Sequence, residues 1–510
     1  LTAVLFMLER RRRMRKPAYK WIALSVTTVG SLMAAIDSTI VILALPDMLQ
    51  DLHSDLVVMT WVIMGYIMVN TVLQLTFGRM ADMFGRVRMY NLGFVVFTLG
   101  SVLCGISPGA GFLLAARVVQ GVGGAMLTAN SMAIITEVFP GEERGKAMGF
   151  NAVTWGAGSV LGPVLGGLIL AGASWRWIFL INLPIGVGGT LAAYFLLHDI
   201  EPRPRNERFD LPGALLFCVS LVTLLLGLMD SIGAGWRSPT VLGLLTVSVV
   251  SFVCFIFWER RYAYPMLDLR LFASQHYTLS VLAATLQSLA VFAVNFLVIF
   301  YLQGVRGYSP LTAAFLILPL PVLTSVIGPL GGLWADRDRF HGATPATVGL
   351  ILQVVSLLIL VFLTPDASYI VLACSLGLMG LGSAIFWSPN TSSTMGAAPR
   401  NRLGVASATL NTMRNVGMVC SFALALAVAA AAMPPALVNQ VFLGTVGHLP
   451  ASIASDFTGA MSHAFIASAV ICLLAVGCSV VRHSHRVSTA NAVVLEERPE
   501  PELDLRHATN

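Results

Sequence analysis

An aspartate stands inside the apolar run Ala34-Ala35-Ile36-Asp37-Ser38-Thr39-Ile40. A carboxylate at the centre of a membrane helix costs at least ~2.5–3.5 kcal/mol on insertion scales, so it is rarely there without a partner or a task. Asp37 is the only Asp or Glu that the hydropathy pattern sets well inside an apolar segment. Arg117 lies a few residues into the fourth such segment. At 1.5 Å per residue both residues sit ~6–8 Å to the outer side of the membrane midplane. Two roles fit this pair. One is a fixed ion pair. The other is proton exchange, with Asp37 trading a proton against a cationic or polar substrate and Arg117 balancing its charge. Burial favours a neutral acid and a nearby cation favours the ionised one, and a carrier needs the two nearly equal. Such a group must face the two compartments in turn.

Other side chains are candidates for a central cavity. Tyr66 and Asn70 fall in the second apolar segment, Trp155 in the fifth, Asn295 in the ninth, Trp387 in the twelfth, and Asn411 and Arg414 in the thirteenth. Aromatic faces stack on flat or cationic ligands. Amides within a membrane face a cavity or another helix. Arg414 is a second intramembrane arginine with no acid in its own half, open to backbone carbonyls or to an anionic part of a substrate. The 7 cysteines lie in apolar segments without a Cys-x-x-Cys pair, so neither a disulfide framework nor a metal site is indicated. No Gly-x-x-x-x-Gly-Lys-Ser/Thr loop occurs, so no nucleotide and no cofactor is expected. Nor does any cluster suggest an enzyme.

The elements that carry these residues follow from composition. The 510 residues are 56% hydrophobic and 11% charged, against about 25% charged in soluble domains. Apolar runs of about 20 residues, enough to cross ~30 Å of hydrocarbon as helices, recur fourteen times. They centre near residues 32, 67, 98, 122, 159, 188, 220, 249, 290, 321, 354, 380, 416 and 472. The fold class is therefore all-α and integral to a membrane. With both ends on the cytoplasmic side, only Arg176, Arg237 and Arg306 of the 31 Lys and Arg fall in outer loops, and the positive-inside rule sets that orientation. The basic residues lie in short loops rather than on a soluble face, which argues against nucleic acid.

Two halves echo each other. Gly78-Arg79-Met80-Ala81-Asp82 matches Gly332-Leu333-Trp334-Ala335-Asp336. Gly121 and Ala125 match Gly380 and Ala384, and Gly145 and Ala147 match Gly404 and Ala406, both at an offset of 259 residues (404 less 145). The plan is a basic cytoplasmic tail at 1–20, six helices at 21–197, linkers and two extra helices at 198–277, six helices at 278–482, and a cytoplasmic tail at 483–510. Repeats of six spans with a site between them at mid-membrane are a common transporter arrangement.

Five motifs complete the reading. They are Gly78–Arg88 with Asp82, Gly85, Arg86 and Arg88; Arg117-Val118-Val119-Gln120-Gly121; Gly158-Ser-Val-Leu-Gly162-Pro163-Val-Leu-Gly166-Gly167; Ile36-Asp37-Ser38-Thr39; and Trp175-Arg176-Trp177 through Asn182 to Pro184. Together they resemble the major facilitator superfamily, and within it the fourteen-span drug:proton antiporters. The resemblance implies that the acid at Asp37 serves proton or cation coupling and that Arg117 assists it. It implies that the Gly78–Arg88 loop is a conformational latch whose charges pair in one state and separate in the other. It implies that Gly158, Gly162, Pro163, Gly166 and Gly167 shape an interface that opens and closes. Relatives that export divalent cations carry further acids in the C-terminal half, and this chain has none at depth there, since Asp230 and Asp336 lie at span ends. Monovalent lipophilic cations, zwitterions or neutral amphiphiles are the expected cargo, exported from the cytoplasmic membrane in exchange for protons. A dedicated exporter of one endogenous metabolite is the alternative. An importer fits the helix 5 motif less well.

Overall fold

A computed structural model describes residues 16–54, 56–199, 208–235, 237–337, 343–432 and 450–496. Most of the N-terminal tail, residues 200–207 of the first linker and residues 497–510 of the C-terminal tail lie outside this set. Fourteen longer helices account for most of the described residues: α1 (Lys16–Leu43), α2 (Leu56–Phe84), α3 (Arg86–Gly105), α4 (Ala110–Val138), α5 (Arg144–Gly172), α6 (Asn182–Leu196), α7 (Leu211–Ala234), α8 (Pro239–Glu259), α9 (Gln275–Phe300), α10 (Pro319–Arg337), α11 (Ala343–Val361), α12 (Tyr369–Gly396), α13 (Leu403–Ala432) and α14 (Ala451–Glu496). Thirteen candidate membrane spans map onto them, with α13 as the remaining long helix. Helices are forced here because hydrocarbon offers the backbone no hydrogen bonds, so each segment satisfies its own.

The arrangement is six helices, a hairpin of two, and six more. In the hairpin, the hydroxyls of Ser220 and Ser248 each donate to the other's backbone carbonyl, at 3.0 and 2.9 Å. That closes α7 on α8 without exposing a polar group to lipid. The two six-helix halves meet along α2 with α13 and α5 with α10, and α13 also packs on α4.

The reversal between α2 and α3 is tighter than a loop. Helix α2 runs through Phe84 and α3 begins at Arg86, leaving Gly85 alone at the turn with φ 107°. Only glycine adopts that angle without strain. Arg79, read from sequence as a loop residue, is therefore helical and fully buried. The span centred near 321 is also interrupted. A short helix, Pro310–Leu316, ends before Ile317, and α10 starts two residues later at Pro319.

Candidate functional site

Asp37 sits on α1 at zero exposure, and its carboxylate is held from three sides. Arg117 Nη1 donates to Oδ2 at 2.7 Å, and Gln120 Nε2 donates to Oδ1 at 2.8 Å. Asn182 Nδ2 donates to Oδ1 at 3.2 Å from the first turn of α6. Ser101 on α3 accepts from both Gln120 and Asn182, at 3.1 and 3.0 Å. Arg117 in turn donates Nε–H to the Val62 carbonyl at 3.1 Å and Nη1–H to Gln120 Oε1 at 2.6 Å. The Tyr66 ring lies 4.4 Å from its guanidinium carbon. Three hydrogen bonds to a charged acceptor, at about 1.5–3 kcal/mol each, exceed the ~2.5–3.5 kcal/mol insertion cost of the acid. The buried pair is thus well supported within the first half alone.

Sequence reading joins Asp37 to Arg117 but not to Gln120 or Asn182. Both stand in the motifs quoted above, and the legible signal was an amide inside an apolar segment. Tyr66, expected in the cavity, belongs to this cluster instead. Asn70 is buried beside it and accepts from Gln74 Nε2 at 2.6 Å. Rather than facing a vestibule, the Asp37 carboxylate is enclosed in this conformation, since helices α1, α3, α4 and α6 close around it.

The Gly78–Arg88 motif lies where the halves cross. Asp82 Oδ1 and Oδ2 accept the Gly404 and Val405 backbone N–H groups at 2.9 and 3.0 Å, at the start of α13. Arg86 pairs with Asp82 at 2.9 Å and with Glu137 at 2.8 Å, and donates to the Arg400 carbonyl at 2.6 Å. Arg88 is exposed and takes no share in this arrangement, because it projects from the outer side of α3. The second half repeats the device. Asp336, at the end of α10, accepts from the Gly145 and Lys146 N–H groups at 2.7 and 2.8 Å, at the start of α5. A carboxylate on the free N–H groups of a helix start gains both hydrogen bonds and the favourable helix dipole.

The first two glycines of the helix 5 motif pack within the first half. A Cβ on Gly158 would lie 2.4 Å from the Ala35 Cβ, and one on Gly162 would lie 1.9 Å from Thr39 Oγ1. This face therefore packs α5 on α1, two residues either side of Asp37, within one half. Gly166 is buried, whereas Gly167 is exposed with open space around it and makes no close approach. The glycines of α5 that meet the other half are Gly145, Gly149 and Gly156, against Gly332, Gly328 and Ser325 of α10. Their spacing of four and seven residues was the available signal.

Among the cavity candidates, Asn411 is buried between the halves and donates to the Thr128 carbonyl at 3.3 Å. It closes an interface instead of lining a space. Asn295 is partly exposed on α9. Trp155, Trp387 and Arg414 do come together: the Arg414 guanidinium carbon lies 5.3 Å from the Trp155 ring and 5.5 Å from the Trp387 ring.

This architecture of two six-helix repeats meeting along α2–α13 and α5–α10, with a buried acid in the first helix, defines a membrane transporter. The family model for the Major Facilitator Superfamily matches residues 27–422, and the chain belongs to that superfamily, in its multidrug-efflux branch. It is similar to the riboflavin transporter RibZ of Clostridioides difficile, 33% identical over 79% of this chain and 86% of that protein. It is also similar to the multidrug resistance protein Stp of Mycobacterium tuberculosis, 33% identical over 87% of this chain and 82% of that one. Among solved structures, the human organic anion transporter MFSD10 matches with a TM-score of 0.59 over 89% of this chain and 99% of that one. At 16% identity that likeness speaks for the fold alone.

Proposed function

We propose that this chain exports small amphipathic compounds across the cytoplasmic membrane in exchange for protons, by rocking its two halves about a central site. Both tails face the cytoplasm in this reading. The observation that carries it is Asp37, a lone carboxylate held by Arg117, Gln120 and Asn182 at zero exposure. Protonation would cancel the charge that holds Arg117 and Gln120 of α4 and Asn182 of α6 against α1. A proton arriving from outside thereby changes how α1 sits against α4 and α6, and through Gly158 and Gly162 how α5 sits on α1. In this reading the Asp82 and Asp336 contacts are the closed cytoplasmic latch, and the conformation is the outward-facing one. Proton exchange requires Asp37 to open to each compartment in turn, and in this conformation the carboxylate is enclosed.

The test is dye uptake into everted vesicles, where export from the cytoplasmic face runs inward, under an imposed pH gradient, comparing the native chain with Asp37→Asn. The variant should lose gradient-driven uptake while retaining downhill leak of the dye. Uptake that responds to the gradient as before would remove Asp37 from the mechanism. Similarity to a riboflavin transporter favours a second reading, a carrier dedicated to one metabolite. A panel of unrelated dyes and drugs separates the two, since accumulation of only one compound would support the dedicated carrier.

A further inference from the structure

Arg414 is eleven residues into α13, and Trp155 is eleven residues into α5. Both helices start at the same end of the bundle, where Asp82 and Asp336 cap them. At 1.5 Å per residue the two side chains sit about 16 Å in, near the middle of the hydrocarbon. They are also 259 residues apart (414 less 155), the offset that relates Gly145 to Gly404. Arg414 thus holds in the second half the place that Trp155 holds in the first, and the two meet at the pseudo-symmetry axis.

The guanidinium has unusual company there. Its contacts among the described residues are two indole rings, with no carboxylate, carbonyl or hydroxyl bonded to it. Arg117 and Arg482, two of the three fully buried arginines, both donate to side-chain oxygens. Cation–π contacts contribute about 0.5–2 kcal/mol each, but they leave the planar fork of N–H donors unused. Arg414, Trp155 and Trp387 are all partly exposed. A fork of donors flanked by two flat apolar faces matches one ligand chemistry: a planar ring system bearing a carboxylate or similar acidic group.

We propose that Arg414, Trp155 and Trp387 form a subsite for the acidic group of a flat aromatic substrate, so that the carrier prefers organic acids to organic cations. The proposal rests on the export reading in taking the bound acid as cargo, and it departs from the monovalent cations, zwitterions or neutral amphiphiles expected from sequence.

Three probes that share one ring system test it: anthracene-2-carboxylate, its carboxamide, and the anthracene bearing a methylene-trimethylammonium group. Equilibrium dialysis against the purified full chain, with no proton gradient, should show the acid binding at least about ten-fold tighter than the cation, as a hydrogen bond to a charged group implies. Arg414→Gln should reduce that ratio to within about three-fold while changing amide binding by less than about two-fold, and Arg414→Lys should keep part of the preference. Trp387→Phe should weaken all three probes. A cation bound as tightly as the acid by the native chain would overturn the proposal, whether or not the glutamine variant folds. So would an acid preference that survives Arg414→Gln. Gradient-driven flux of the same probes in proteoliposomes separates this idea from the export reading. An acid preference without such flux removes export and keeps the subsite. Flux of the cation with no acid preference removes the subsite and keeps export.

Discussion

Gly78 and Gly404 face each other across the two halves so closely that a Cβ on either would lie 2.5 or 2.4 Å from the other's carbonyl oxygen. Gly145 and Gly332 repeat this contact at 2.4 and 2.1 Å, and each pair lies beside the carboxylate that caps a helix of the opposite half. Close approach and capping are therefore one device used twice. The missing side chains let the backbones touch, and the touch brings Asp82 and Asp336 within reach of free N–H groups.

Neutralising the two caps should loosen this end. Removing a helix cap costs about 0.5–2 kcal/mol, and the charge–dipole attraction goes with it. Spin labels at the exposed residues Glu142 and Arg337 flank the Asp336 contact. The double variant Asp82→Asn, Asp336→Asn should broaden their distance distribution toward longer values. An unchanged distribution would show that the caps do not hold the halves together.

Alanine at Gly404 should do the same by steric means, because backbone cannot yield as a flexible side chain does. Transport by Gly404→Ala is expected to fall at least about ten-fold, given the contact to the Gly78 carbonyl. Gly167→Ala, which meets open space, should transport like the native chain. Equal rates in the two variants would count against the contact.

Within the first half, Gln120→Leu and Asn182→Leu each remove a donor from the Asp37 carboxylate and leave the charge buried. Each should destabilise the protein by about 1.5–3 kcal/mol, read as a lower thermal midpoint, and should impair gradient-driven efflux. Native midpoints and native efflux together would mean the network is dispensable.

Outside the membrane segments, Asp51 bonds Arg176 at 2.6 Å and Trp175 Nε1 at 3.0 Å. The Arg176 hydrogen bond, and then that of Trp175, hold its carboxyl below the usual carboxylate range. A depressed folded-state value favours folding above the unfolded value of about 3.9, and the benefit disappears as pH falls through the depressed one. The gap in thermal midpoint between the native chain and Asp51→Asn should therefore close between pH 6 and pH 3. It should be small in salt, since the pair is exposed. A gap that grows on acidification would contradict the assignment.

The helices, their order and the six–two–six plan were legible because hydrocarbon penalises polar groups residue by residue, and that penalty is written locally in the chain. Asp37 and Arg117 stood out for the same reason, and the repeat between Asp82 and Asp336 was visible as a match of spacing. What those residues touch was not legible. Gln120 and Asn182 reach Asp37 only because α4 and α6 pack at one depth against α1, and Trp155 reaches Arg414 only because two repeats meet face to face. Even the glycine motif of α5, plain in sequence, proved to face α1 and not the other half. Which face of a helix meets which neighbour is a property of the packed bundle: apolar side chains suit lipid and protein alike, so the pattern alone does not separate them.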